Sequence, residues 1–179
     1  MRFHPTEIDG AFLVDLDMHA DERGAFGRIF CGDAFKAAGI SFEIVQVNLS
    51  RNIALHTLRG LHTQRPPHEE AKLVHCVRGA LFDVAVDLRQ HSATRGAVAT
   101  VELSASRDRL FFIPPGCAHG FLTLEQGTDL VYYMGTAYVP GVDVGIRYDD
   151  PAFAIPWPHP PAVISARDAA FPDFAGFDA

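Results

Sequence analysis

Apolar and polar residues alternate through the middle of the chain. The two-residue period runs over Ile44 to Ser50, Lys72 to Val77, Leu81 to Leu88, Val98 to Leu103, Leu110 to Ile113 and Leu130 to Met134, which predicts strands with one buried face. Turn residues part these runs, as at Arg78-Gly79 and Pro114-Pro115-Gly116. One short helix is predicted around Gly32 to Ala38, with Asp33 placed to cap its first turn. Many short strands with little helix predict an all-β sandwich or barrel. Pro151, Pro156, Pro158, Pro160 and Pro161 crowd the stretch after Asp150, so it should run extended over the surface instead of joining a central strand. From Ile164 onward, an extended tail can bring an acid such as Asp168 back to the mouth of a barrel.

Length and composition narrow the classes. A chain of 179 residues predicts one domain spanning 1–179, since each half alone would have little core. Nearly half the residues are hydrophobic and about a fifth are charged, the balance of a soluble globular protein. The net charge of -7 argues against a nucleic-acid binder, which needs basic surface to replace phosphate counterions. A few convergent Arg side chains still suffice for one diphosphate. No leader-like segment opens the chain and no run of apolar residues is long enough for a membrane span, so a cytoplasmic protein is expected. Cys31, Cys76 and Cys117 are widely spaced with no CxxC pair, and are read as buried free thiols.

The same period sorts polar residues onto faces. In Leu58-Arg59-Gly60-Leu61-His62-Thr63-Gln64, His62 and Gln64 share a side, with Arg59 on the other or beyond a bulge at Gly60. Lys72 falls with Val74 and Cys76, and Asp83 with Leu81, Ala85 and Asp87. Charges on otherwise apolar strands need partners or a wet cavity. A cavity holding His62, Lys72, Asp83, Tyr132 and His119 would gather bases, acids and a cation, the setting in which catalytic pKa values are tuned. Gln46, Asn48 and Ser50 line one face of their strand, and Val45, Val47 and Leu49 the other. Arg23 by itself reads as a solvated loop charge.

A metal site is the main competing chemistry. Barrel metals are commonly held by two His separated by one residue, a nearby Glu and a later His. Here Gln64 stands where the second imidazole would be, and a substitute set of His68, Glu69, Glu70 and His119 is irregularly spaced. No bound metal is expected.

Seven stretches in order resemble the dTDP-4-dehydrorhamnose 3,5-epimerase family of deoxysugar enzymes. They are Arg23-Gly24-Ala25-Phe26, Gln46-Val47-Asn48-Leu49-Ser50, Leu58-Arg59-Gly60-Leu61-His62, Ala71-Lys72-Leu73-Val74, Phe82-Asp83-Val84-Ala85-Val86-Asp87, Ile113-Pro114-Pro115-Gly116-Cys117-Ala118-His119-Gly120-Phe121 and Gly145-Ile146-Arg147-Tyr148-Asp149-Asp150-Pro151. The resemblance implies an all-β cupin jelly roll with few short helices, usually dimeric, without metal or organic cofactor. It implies a nucleoside diphosphate-linked 4-keto-6-deoxy sugar as substrate, inverted at carbon 3, carbon 5 or both.

Carried over by position, His62 matches the general base and Asp168 the acid paired with it. Tyr132 matches the proton donor on the opposite face, and Lys72 the lysine near the keto oxygen. Arg23 and Arg59 match diphosphate contacts, and Gln46, Asn48, His119 and Tyr138 match positions around nucleotide and sugar. The chain departs from the family pattern at Thr63, where Tyr is common, at Arg28, where Glu is usual, and at Val47, where Asp is usual. These changes bear on which nucleotide and sugar are accepted. A metal-dependent cupin enzyme and a non-catalytic nucleotide-sugar-binding module are the competing readings.

Overall fold

A computed structural model describes residues 1–176. Its elements in chain order are β1 (Arg2–Pro5), β2 (Phe12–Asp15), β3 (Met18–Asp21), β4 (Gly24–Gly27), α1 (Gly32–Ala37), β5 (Gln46–Asn52), β6 (Thr57–Gln64), β7 (Lys72–Arg78), β8 (Ala80–Asp87), β9 (Val98–Ser104), β10 (Arg109–Ile113), β11 (Cys117–Thr123), β12 (Thr128–Met134), β13 (Asp143–Gly145), β14 (Val163–Ile164) and α2 (Ala166–Ala169). One sheet has the order β1-β2-β10-β7-β12-β5, and the second β13-β6-β11-β8-β9, with β14 added parallel to β6. Strands close in space are often distant in sequence, which is the crossing pattern of a jelly roll. The hairpin β3–β4 stands apart from both sheets.

Alternation decides what lies between the sheets. Val74 and Cys76 of β7, Phe111 and Ile113 of β10 and Leu130 of β12 meet Leu81 and Ala85 of β8, Leu103 of β9 and Phe121 of β11 in one buried cluster. The opposite faces are covered differently. Outside the first sheet, Leu73, Leu110 and Phe112 pack with Phe35 of α1 and the rings of Phe3, Phe30 and Phe42. Phe35 is fully buried, which stabilises the fold by about 1.5–3 kcal/mol relative to an exposed ring. Outside the second sheet, Leu61, Val84, Val86 and Ala118 are roofed by Phe153, Ile155 and Trp157. The proline-rich stretch therefore runs over the surface as expected and also shields an apolar face.

Some expectations change. The N-cap of α1 is Cys31, which makes no side-chain capping bond, and Asp33 sits inside the first turn. There its charge favours the helix through the N-terminal dipole. Cys76 and Cys117 are buried free thiols, but Cys31 is only partly covered. The tail after Ile164 is not wholly extended: Ser165 accepts a bond from the Asp168 N–H and starts α2. Among the described residues no helix is long and apolar enough to cross a membrane.

Candidate active site

The site begins with a bulge. His119 of β11 pairs with His62, but Phe121 pairs with Arg59, so three steps on β6 match two on β11. The extra residue turns Arg59 and His62 toward the same cavity, which strict alternation would forbid. Only glycine fits at its centre: Gly60 has φ of +130, and a Cβ there would lie 2.5 Å from the Gly120 Cα. The cavity, about 280 Å³, is lined by Asn48, Leu49 and Ser50 of β5, Arg59 and His62 of β6, Lys72 of β7, His119 and Phe121 of β11, and Tyr132 and Met134 of β12. His62 and Tyr132 thus enter it from opposite sheets.

The short helix α2 carries Asp168 to His62. The carboxylate Oδ1 lies 3.0 Å from His62 Nε2, and Oδ2 accepts the Gly60 N–H at 3.1 Å. Burial works to raise the Asp168 pKa, but these two bonds outweigh it and hold the group below the usual carboxylate value. Burial lowers the His62 pKa, with Asp168 opposing. The pair therefore rests as neutral imidazole and ionised carboxylate near pH 7. An ionised carboxylate only accepts, so Nε2 carries the proton and Nδ1 keeps its lone pair. The Phe171 ring stands edge-on to the imidazole, centroids 5.8 Å apart, on the same C-terminal segment.

Two further pairs complete the site. Lys72 Nζ donates to Glu70 Oε1 at 2.5 Å, and both residues are 5% exposed. His119 Nε2 lies 2.6 Å from Asp83 Oδ1. Burial raises the pKa of Asp83. Burial first, and then the nearby Asp83, push the Tyr132 hydroxyl well above its ordinary value, so it enters any reaction protonated.

Comparison with known proteins settles the kinship. The family model described as dTDP-4-dehydrorhamnose 3,5-epimerase matches residues 5–176. The chain belongs to this family. The enzyme of that name from Methanothermobacter thermautotrophicus is 43% identical over 157 residues, 88% of this chain and 84% of the relative. The Legionella pneumophila epimerase, solved in complex with dTDP-4-keto-L-rhamnose, superposes with a TM-score of 0.89 at 38% identity, covering 95% of this chain and 90% of that one. A 3'-monoepimerase from Streptomyces bikiniensis, in complex with dTDP-quinovose, gives 0.87 at 34% identity, covering 95% and 86%.

Within this epimerase fold, the candidate site residues take up four kinds of position. His62, Lys72, Tyr132, Arg59, Asn48 and His119 line the cavity. Asp168 and Asp83 stand behind its walls, each bonded to a cavity histidine. Gln46 sits beyond the cavity lining, bonding Asn48 and the Tyr138 N–H. Tyr138 and Arg23 are not brought to the cavity within one chain. Tyr138 is exposed and its hydroxyl donates to Asp143. Arg23 pairs with Asp21 at the tip of the β3–β4 hairpin, its side chain 83% exposed. Glu70 and His119, two members of the substitute metal set, are committed to Lys72 and Asp83. A larger hollow of about 740 Å³ lies by the β8–β9 loop around Arg89, away from both His–Asp pairs.

The sequence reading named Glu70 only as a possible metal ligand and missed Phe171. Glu70 precedes the β7 run, but it is two residues from Lys72 and so on the same side of extended chain. Phe171 has no local signal, because its seat is made by Gly145, where a Cβ would fall 2.0 Å from the ring.

Proposed function

We propose that this protein epimerises a dTDP-linked 4-keto-6-deoxy sugar at carbon 3, carbon 5 or both. Neutral His62 takes the proton from the carbon beside the ketone through Nδ1, and Asp168 supports the imidazolium that forms. The C–H electron pair becomes the carbon–carbon double bond of an enolate, whose oxygen carries the charge. The Lys72 ammonium, itself nearly buried, stabilises that oxygen. Tyr132 then delivers its proton to the other face, which inverts the carbon and restores the ketone, and exchange with water resets both residues. None of these steps calls for a metal or an organic cofactor.

The observation that carries this reading is the entry of His62 and Tyr132 from opposite sheets into one cavity, with Lys72 lining it from β7, the strand beside that of Tyr132. Family membership supports the substrate class. Incubation with a 4-keto-6-deoxy nucleotide sugar in deuterated water, followed by proton NMR, should show loss of the signal at carbon 3, carbon 5 or both. No exchange at either carbon would overturn the reading.

The working unit in this reading is a homodimer, and Arg23 reaches the diphosphate from the second copy. Its hairpin follows β2, on the far side of the first sheet from β5, roughly 19 Å across four strand spacings. The edge strand β5, with the Val45 just before it, leaves Val45 and Val47 more than half exposed, and Leu49 equally so at the cavity mouth, an apolar edge suited to a second copy. Arg59 is the diphosphate contact from the same chain. The three free cysteines suit a reducing compartment and support a cytoplasmic location.

A further inference from the structure

We infer that Glu70 is a positioning residue for Lys72, holding the ammonium charged and aimed along the cavity wall. This inference rests on the role proposed above for Lys72. A lone ammonium that is 5% exposed is strongly disfavoured relative to the neutral amine. A neutral amine would stabilise an enolate oxygen far less than a cation does. Glu70 removes that difficulty. Its Oε1 accepts from Lys72 Nζ at 2.5 Å, while its Oε2 accepts the Gln64 N–H at 3.1 Å. The second bond anchors the carboxylate to β6, the strand that also carries His62. The base and the enolate-stabilising cation are thereby referenced to one strand, although Lys72 itself belongs to the facing sheet.

Other charged or titratable groups around Lys72 do not substitute for this carboxylate. Asp168 is bonded to His62 and Asp83 to His119. Arg59 on β6 lines the same cavity with positive charge, and Tyr132 on β12 is held protonated. Cys117 on β11 feels the Lys72 charge, but burial pushes its thiol up to about 12, so it supplies no anion near neutral pH. Among the described residues Lys72 makes no second ion pair. The carboxylate also sets a limit: it neutralises the ammonium in the resting site, so the full attraction is expressed only when negative charge develops on the substrate oxygen.

The test uses Glu70→Gln, which keeps the shape and an acceptor but removes the charge, beside Glu70→Asp, which keeps the charge. Glu70→Gln should lower kcat at least tenfold with KM changed less than threefold. Glu70→Asp should recover part of the rate. In a Lys72→Met background, Glu70→Gln should cost nothing further, because Glu70 acts through the lysine. A folded Glu70→Gln variant with kcat within twofold of the parent overturns the inference, as does a Glu70→Asp variant no better than Glu70→Gln or a full additional loss in the Lys72→Met background. Undiminished activity of Lys72→Met alone would instead remove the role proposed for Lys72.

Discussion

Asp168 holds His62 from 106 residues away in sequence, its Oδ1 3.0 Å from Nε2, while its other oxygen accepts the Gly60 N–H from the bulge that aims His62. One carboxylate thus fixes both the imidazole and the backbone irregularity beneath it. The same bonds keep Asp168 ionised and the His62 Nδ1 free to take a proton.

The first prediction concerns this pair. Asp168→Asn still accepts from Nε2 but cannot support an imidazolium, so kcat should fall roughly a hundredfold or more. The sign of the pH effect follows from the causes acting on His62. Burial lowers its pKa and Asp168 opposes that, so removing the carboxylate lowers it further. The acid limb of kcat/KM, where protonation silences the base, should move to lower pH in the variant. A limb shifted upward, or an unchanged rate, would count against the pairing.

Arg59 and Arg23 allow the shared site to be tested by mixing. Arg59→Ala should weaken nucleotide-sugar binding by about 1.5–3 kcal/mol, the range for a hydrogen bond to a charged group. Arg23→Ala and His62→Ala homodimers should each be impaired. After subunit exchange, a mixed dimer has one site with both residues intact, so about a quarter of normal activity should return. An inactive mixture with exchange verified would mean that Arg23 does not act across a dimer.

Much of this architecture was legible in the alternation. The inward faces of β7 and β8 follow from period two, so Lys72 and Asp83 both sit on inward-facing positions, although Asp83 stands behind the cavity wall, bonded to His119, and not in the lining as the alternation suggests. The face of Arg59 was not legible, because a bulge depends on how closely Gly60 approaches Gly120, a contact between strands distant in sequence. Helix α2 is a single turn, too short for periodicity to register. Arg23 reads the same in sequence whether it serves its own chain or another, since burial by a partner leaves no local pattern.

Gly145 and Phe171 give a prediction in which packing controls chemistry. A methyl group at Gly145 would overlap the Phe171 ring, which must then move. Overpacking of this kind costs about 1–3 kcal/mol of stability. The larger expected effect of Gly145→Ala is a tenfold or greater loss of kcat, because Phe171 shares the segment that carries Asp168. Adding Phe171→Ala should relieve part of the loss, and the two substitutions should be less damaging together than the sum of the two alone. Strict additivity would show that the ring does not transmit the change.

Asp87 supports a prediction about stability alone. Arg89, Ser92 and Thr94 all donate to its carboxylate. Burial works to raise its pKa, but these bonds bring it down from the ordinary 3.8 to about 2. A folded-state pKa below the unfolded one stabilises the fold fully above the unfolded value and loses that contribution as pH falls through the folded one. At neutral pH the contribution is about 2 kcal/mol. Asp87→Asn should therefore lower Tm by roughly 4–8 °C at neutral pH. The gap from the parent should narrow between about pH 4 and about pH 2, and a gap independent of pH would place the effect elsewhere.

The last prediction separates the two proton-transfer groups. His62 and Tyr132 approach the cavity from opposite sheets, so they should act on opposite faces of the sugar ring. His62→Ala removes the base and should abolish both deuterium exchange and inversion, since general acid–base catalysis is worth roughly a hundred- to ten-thousand-fold. Tyr132→Phe keeps the base and Lys72 but removes the hydroxyl that burial holds protonated. That variant should still wash deuterium into the substrate, returned to the original face by His62, while forming little inverted product. Exchange measured by proton NMR should then outrun epimerisation measured on the same sample. If Tyr132→Phe lost both in equal measure, or neither, the assignment of His62 and Tyr132 to opposite faces would fail even with the epimerase activity intact.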